Sequence, residues 1–128
     1  MLRLYFMRHG ETVWNTERRY QGMTDIELSE EGLRQAECAA KRFKNIKIDK
    51  IYASPLKRAM KTAEKIAAEK GLEIISEDDF REIHFGEWEG KTVPELTEKY
   101  GESYTNFIRE PHKYGFPGEG SVENVINR

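Results

Sequence analysis

The spacing of apolar positions changes repeatedly along the chain, and each change marks an element. The first run, Leu2 to Met7, is short, rich in Leu, Tyr and Phe, and stops at Arg8-His9-Gly10. Its length suits a buried strand, and Gly10 permits a sharp turn out of it. Val13 to Glu27 has no sustained period and reads as a functional loop carrying Asn15, Arg18, Arg19, Gln21 and Gly22. Leu28-Ser29-Glu30-Glu31 then opens a helix, with Ser29 able to cap and two acids complementing the macrodipole. Leu33, Ala36, Ala40 and Phe43 recur at helical spacing up to Lys44. Asp49 to Ala53 is the next strand. Ser54-Pro55 follows as a capping residue with proline at the first helical position. Leu56, Ala59, Met60, Ala63, Ile66 and Ala67 form the apolar stripe of that helix, Gly71 ends it, and Leu72 to Ser76 is a third strand.

Strand, helix, strand, helix, strand, with crossovers of this length, predicts an α/β protein with a parallel sheet. Beyond Glu77 the regularity fades. Val93 to Tyr100 predicts a short helix with Pro94 early in it, and Tyr104 to Arg109 another. A loop rich in Pro and Gly leads to Ser121, which starts a helix containing Val122, Val125 and Ile126. An isolated helix that short is marginal, so the C-terminus reads as a cut.

Composition narrows the function. The chain of 128 residues suits one domain, residues 1–128, with 38% hydrophobic and 34% charged residues. A net charge of −2 argues against a nucleic-acid surface or a polybasic membrane patch. Cys38 is the only cysteine, which excludes an internal disulfide and a CxxC site. The first apolar run is broken by Arg3 and Arg8, and no stretch has transmembrane length. A cytoplasmic location is the expectation.

The C-terminal ends of parallel strands share one edge, where open α/β sheets bind ligands. Three connections converge there. The first delivers Arg8 and His9, the second Arg58, and the third Glu82, which composition alone does not separate from Asp78, Asp79 and Glu87. An imidazole beside a fixed cation suits attack on an anionic electrophile, and phosphate is the natural candidate. Arg58 breaks a local rule, because with Lys57 and Lys61 it crowds the positive end of a helix dipole. A bound anion reverses that penalty. His9-Gly10-Glu11 matches half of a zinc deaminase signature, but the cysteine pair is missing, so no metal is expected. His84 and His112 lack metal-ligand spacing, and Trp14, Tyr20, Phe85 and Trp88 read as cover for a core.

These residues also carry a resemblance. Leu4 to Thr12, with Trp14-Asn15, resembles the first signature of the histidine phosphatase superfamily, in its phosphoglycerate-mutase-like branch. Ala53-Ser54-Pro55-Leu56, with Arg58-Ala59 and Thr62-Ala63, resembles its second motif, and Phe80 to Gly90 its third. The resemblance implies a three-layer α/β/α fold with a mostly parallel sheet. His9 would become phosphohistidine, Arg8 and Arg58 would clamp the phosphoryl oxygens, and Glu82 would serve as acid and then base. Asn15, Gln21 and Gly22 would bind substrate, and no cofactor is required.

The Phe85-Gly86-Glu87-Trp88-Glu89-Gly90 stretch resembles the phosphatase type, nearest in appearance to α-ribazole phosphatases. The expected activity is hydrolysis of small phosphomonoesters, α-ribazole 5′-phosphate among them. A cofactor-dependent phosphoglycerate mutase and a phosphate-binding module without turnover are the alternatives. Two departures bear on this. Pro117-Gly118-Glu119-Gly120-Ser121 transposes the Glu and Gly of the P-G-G-E-S in relatives, which puts a Glu119 contact in doubt. The family also places a second histidine, on a strand beside the first, beyond Arg128. The chain is therefore expected to lack the C-terminal strand region and to be an impaired catalyst. It is also expected to expose an apolar edge open to homodimerisation.

Overall fold

Ser29 caps the first long helix as its position requires, its hydroxyl accepting from the Gly32 N–H at 3.0 Å. In the computed structural model, which describes residues 1–117 and 120–128, the helices are α1 (Val13–Thr16), α2 (Glu30–Phe43), α3 (Lys57–Lys70), α4 (Val93–Tyr100), α5 (Glu102–Arg109) and α6 (Val122–Ile126). Strands β1 (Ile51–Ala53) and β2 (Ile74–Ser76) pair in parallel, with Ile51 opposite Ile74 and Ala53 opposite Ser76. Helix α3 makes the crossover between them and packs on both. The α/β class with a parallel sheet is therefore as expected. Gly118 and Glu119, where the transposition falls, lie outside the described residues.

Helices α2 and α3 lie against each other, burying Gly32, Ala36 and Ala40 from one and Ala63, Ile66 and Ala67 from the other. Small side chains dominate this seam, so the helix backbones approach closely. Leu33, expected on the buried stripe, is exposed instead. A second core forms around Trp88 and Leu96, both 0% exposed, with Tyr104 and Phe107. Five aromatic rings, of Tyr20, Tyr100, Tyr104, Phe107 and Phe116, surround Trp88 at centroid distances of 5.1 to 6.1 Å. This packing, edge-on for Tyr20, Tyr104 and Phe107 and tilted for Tyr100 and Phe116, anchors the Phe85–Glu89 segment in the domain.

Two expectations need correction. Leu2 to Met7 forms no ladder with a described strand, and Leu2, Leu4 and Phe6 are 83%, 64% and 92% exposed. A strand needs a partner edge, and an apolar run supplies only one side of that pairing. The homodimer expected through this edge rests on exposed side chains rather than on a formed strand. The second correction concerns α3. Ser54 does not cap it, because the chain stays extended through Leu56 (ψ 135°) and the helix starts at Lys57. Asp25 supplies the cap from a distant loop, its Oδ1 accepting from the Lys57 N–H at 2.7 Å. Arg58 consequently stands at the second helical residue, not a turn inside.

Candidate active site

The loop that leaves the first run is fixed by backbone contacts. The Gly10 N–H donates to Thr62 Oγ1 at 3.0 Å, and that hydroxyl donates to the Arg58 carbonyl at 2.7 Å. His9 is thereby tied to the same turn of α3 that carries Arg58. Gly10 is needed for close approach and not for a left-handed turn. A Cβ there would lie 2.5 Å from the Gly32 carbonyl oxygen, and one on Gly32 would lie 2.0 Å from the Glu11 carbonyl. Backbone passes over backbone here, and neither position has room for a side chain.

His9 is half-buried, and its Nδ1 lies 2.7 Å from the Gly10 carbonyl oxygen. A carbonyl only accepts, so Nδ1 carries the proton and Nε2 keeps its lone pair. Burial is the largest influence on its pKa and holds it below the ordinary 6.5. The Gly10 carbonyl and Glu82 oppose this, while Arg58 and Arg8 reinforce it. The imidazole is therefore neutral near pH 7. An unfolded histidine takes a proton more readily, so this group's contribution to stability is present above pH 6.5. It is lost as pH falls through the lowered folded value. An NMR titration should place the His9 midpoint below 6.5, whereas a midpoint above it would mean that the Gly10 carbonyl and Glu82 outweigh burial.

Arg58 is 3% exposed. Its two terminal nitrogens donate to the Gly22 carbonyl at 2.6 Å and the Thr24 carbonyl at 3.0 Å. No carboxylate lies within ion-pair distance of it among the described residues, and burial lowers its pKa against the pull of Glu82, Asp25 and Glu89. Lys57 beside it behaves differently, pairing at the surface with Glu27 at 3.0 Å. Among the described residues the buried Arg58 guanidinium is held by carbonyl dipoles and has no ion-pair partner, so it keeps N–H donors and a charge that favour an anion.

Thr12, fully buried, organises two side-chain amides. The Thr12 N–H donates to Asn15 Oδ1 at 3.0 Å, and the Thr12 hydroxyl lies 2.6 Å from Gln21 Oε1 and 3.1 Å from Asn15 Oδ1. With both oxygens turned to Thr12, the amide NH2 ends are the ones left for the cavity. This capping box starts helix α1 inside the stretch expected to be a loop. Thr12 followed by Asn15 was the available signal, with Asn in place of the usual Glu or Gln.

Arg8, His9, Asn15, Gln21, Gly22, Arg58 and Glu82 all line one cavity of about 250 Å³. All seven residues singled out from the sequence are thus brought together. Arg8 is exposed, and so is Glu82, whose Oε1 accepts from the Ile83 N–H at 2.8 Å. Tyr20 and Phe85 complete the wall. They were read as core cover and do both jobs, since their rings stack edge-on at 5.1 Å against each other and pack on the Trp88 cluster. Arg18 and Arg19 also reach the cavity, but Arg19 is neutralised by Glu17 at 2.7 Å.

A family description of the histidine phosphatase superfamily, branch 1, matches residues 4–128. The chain belongs to this superfamily. Phosphoserine phosphatase 1 of Hydrogenobacter thermophilus is 45% identical to it over 128 residues, all of this chain and 61% of that protein. A mycobacterial glucosyl-3-phosphoglycerate phosphatase, solved with VO3, superposes with TM-score 0.85 at 33% identity over 93% of this chain and 56% of that one. The α-ribazole phosphatase from Shigella flexneri superposes with TM-score 0.86 over 94% of this chain and 60% of that one, at 23% identity, a likeness of fold. This histidine phosphatase chain therefore spans between 56% and 61% of the length of these relatives. No helix among its described residues is long and apolar enough to cross a membrane.

Proposed function

We propose that the chain carries the site of a phosphomonoester hydrolase working through a phosphohistidine. The observation that supports this reading is the pairing, in one cavity, of a neutral imidazole with a buried guanidinium that has no carboxylate at ion-pair distance among the described residues. His9 Nε2 attacks phosphorus while the bond to the ester oxygen breaks. Glu82, in its protonated form, gives its proton to that oxygen, and the alcohol departs. Water then attacks the phosphohistidine, losing a proton to the Glu82 carboxylate, and inorganic phosphate leaves with His9 regenerated.

The arginines have the larger share of the work. Charge spread over the transferring phosphoryl oxygens requires fixed positive groups, and one well-placed arginine is worth about 10³–10⁵ in rate. Proton transfer by a positioned acid adds about 10²–10⁴. The amide NH2 groups of Asn15 and Gln21 supply further donors, and Gly22 admits the substrate close to backbone.

The proposed substrate is a small phosphomonoester. The similar proteins include phosphoserine, glucosyl-3-phosphoglycerate and α-ribazole phosphatases, so O-phosphoserine and α-ribazole 5′-phosphate belong beside p-nitrophenyl phosphate in the assay. Release of phosphate from at least one ester is the expected result. No release above the uncatalysed rate, with phosphate still bound, would leave a binding module instead.

A further inference from the structure

The cavity does not exhaust the unusual chemistry of the chain. Glu89 lies outside the lining yet accepts more hydrogen bonds than any group within it. Its Oε1 accepts from the Met23 N–H at 2.9 Å and the Phe85 N–H at 3.0 Å. Its Oε2 accepts from the Thr24 N–H at 2.9 Å and from the Thr24 hydroxyl. A carboxylate offers about four lone-pair sites, and here all are taken. Glu89 therefore has no capacity left to move a proton for the reaction, and its role must lie in what it holds.

It holds the turn that aims Arg58. The carbonyls of Gly22 and Thr24 are the two acceptors for that guanidinium, and Glu89 fixes the N–H groups of Met23 and Thr24, within the same turn. Gly22 has φ +54°, and a Cβ on it would lie 2.1 Å from Glu89 Oε1, so the turn is wrapped directly on the carboxylate. Glu89 itself is rigidly placed, following Trp88, whose ring is fully buried. The bond to Phe85 ties in a further residue of the cavity wall.

We propose that Glu89 is a positioning residue for Arg58, presenting the two carbonyls that hold the guanidinium toward a phosphoryl group. This rests on the phosphatase reading above. Glutamine cannot substitute, because its NH2 would face N–H donors where an acceptor is required.

The test is a double-mutant cycle on this chain, with inorganic phosphate as the probe and affinity read by calorimetry. Glu89→Gln should weaken phosphate binding about tenfold or more, as loss of a supporting contact behind a ligand does. In an Arg58→Lys background, where the fork that reads both carbonyls is already gone, the same change should cost less than about twofold. Equal losses in both backgrounds, or no loss in either, would overturn the proposal, since a merely structural role does not depend on residue 58. Circular dichroism and the thermal midpoint monitor folding. If Glu89→Gln does not fold, Thr24→Val, which removes one of the four donors, goes through the same cycle with the same criterion of coupling. Wild-type chain that binds no phosphate would overturn the phosphatase reading, and this inference with it. Wild-type binding with an uncoupled cycle would overturn this inference alone.

Discussion

Arg58→Ala should lower hydrolysis of p-nitrophenyl phosphate by about 10³-fold or more, the range for an arginine that stabilises a transferring phosphoryl group. It should also remove the rise in thermal midpoint that phosphate gives the wild-type chain, which follows from binding to the folded state alone. The expected effect on stability without phosphate is small. The variant leaves the carbonyls of Gly22 and Thr24 without their guanidinium donor, which is costly, but it also removes a buried charge that has no carboxylate at ion-pair distance among the described residues. These terms oppose each other. Arg58→Lys should fare poorly too, because a compact ammonium lacks the planar fork whose separate nitrogens bond the two carbonyls and still face a phosphate. A large loss of stability with phosphate binding intact would show that Arg58 is structural.

His9→Ala separates catalysis from binding. With the nucleophile gone, hydrolysis should fall by about 10⁴-fold or more, as for other covalent catalysts that lose their attacking group. Phosphate affinity should change far less, because Arg8, Arg58 and the amides of Asn15 and Gln21 remain around the cavity. Calorimetry on both proteins, beside the hydrolysis rates, checks this. Parallel loss of affinity and rate would assign His9 to binding.

The site was more legible in the sequence than the architecture around it. Three of its residues could be named because each broke a local expectation: Arg58 at the wrong end of a helix dipole, Arg8 and His9 where an apolar run stops; Glu82, Asn15, Gln21 and Gly22 took their roles from the motifs. Motif resemblance then joined them. Helix α2 was readable because Ser29 and its two following acids act within one turn. The start of α3 was not, because its cap comes from Asp25, more than thirty residues upstream by the separation of 32 positions. The first run misled for a related reason. Its apolar period describes a strand's side chains, while the ladder depends on a neighbour the local pattern cannot contain.

Gly10 and Gly32 show the same limit. A turn was a sufficient local reason for Gly10, yet the reason in the fold is contact with another backbone 22 positions away, visible only once α2 is docked. Thr12 was quoted as part of a motif, but its grip on two amide oxygens requires the three-dimensional approach of Gln21. Glu89 likewise reads as one more acid until its oxygens are seen to collect donors from two separate segments. Long-range polar satisfaction leaves little trace in local periodicity.

The central claim is that His9 Nε2 takes the phosphoryl group. Mixing the chain with p-nitrophenyl phosphate, quenching within milliseconds and mapping the modified peptide by mass spectrometry tests it most directly. The account predicts an acid-labile, base-stable phosphate on His9 that is absent from His9→Ala. Phosphate released by wild-type chain with no such adduct, or an adduct on another residue, would contradict it.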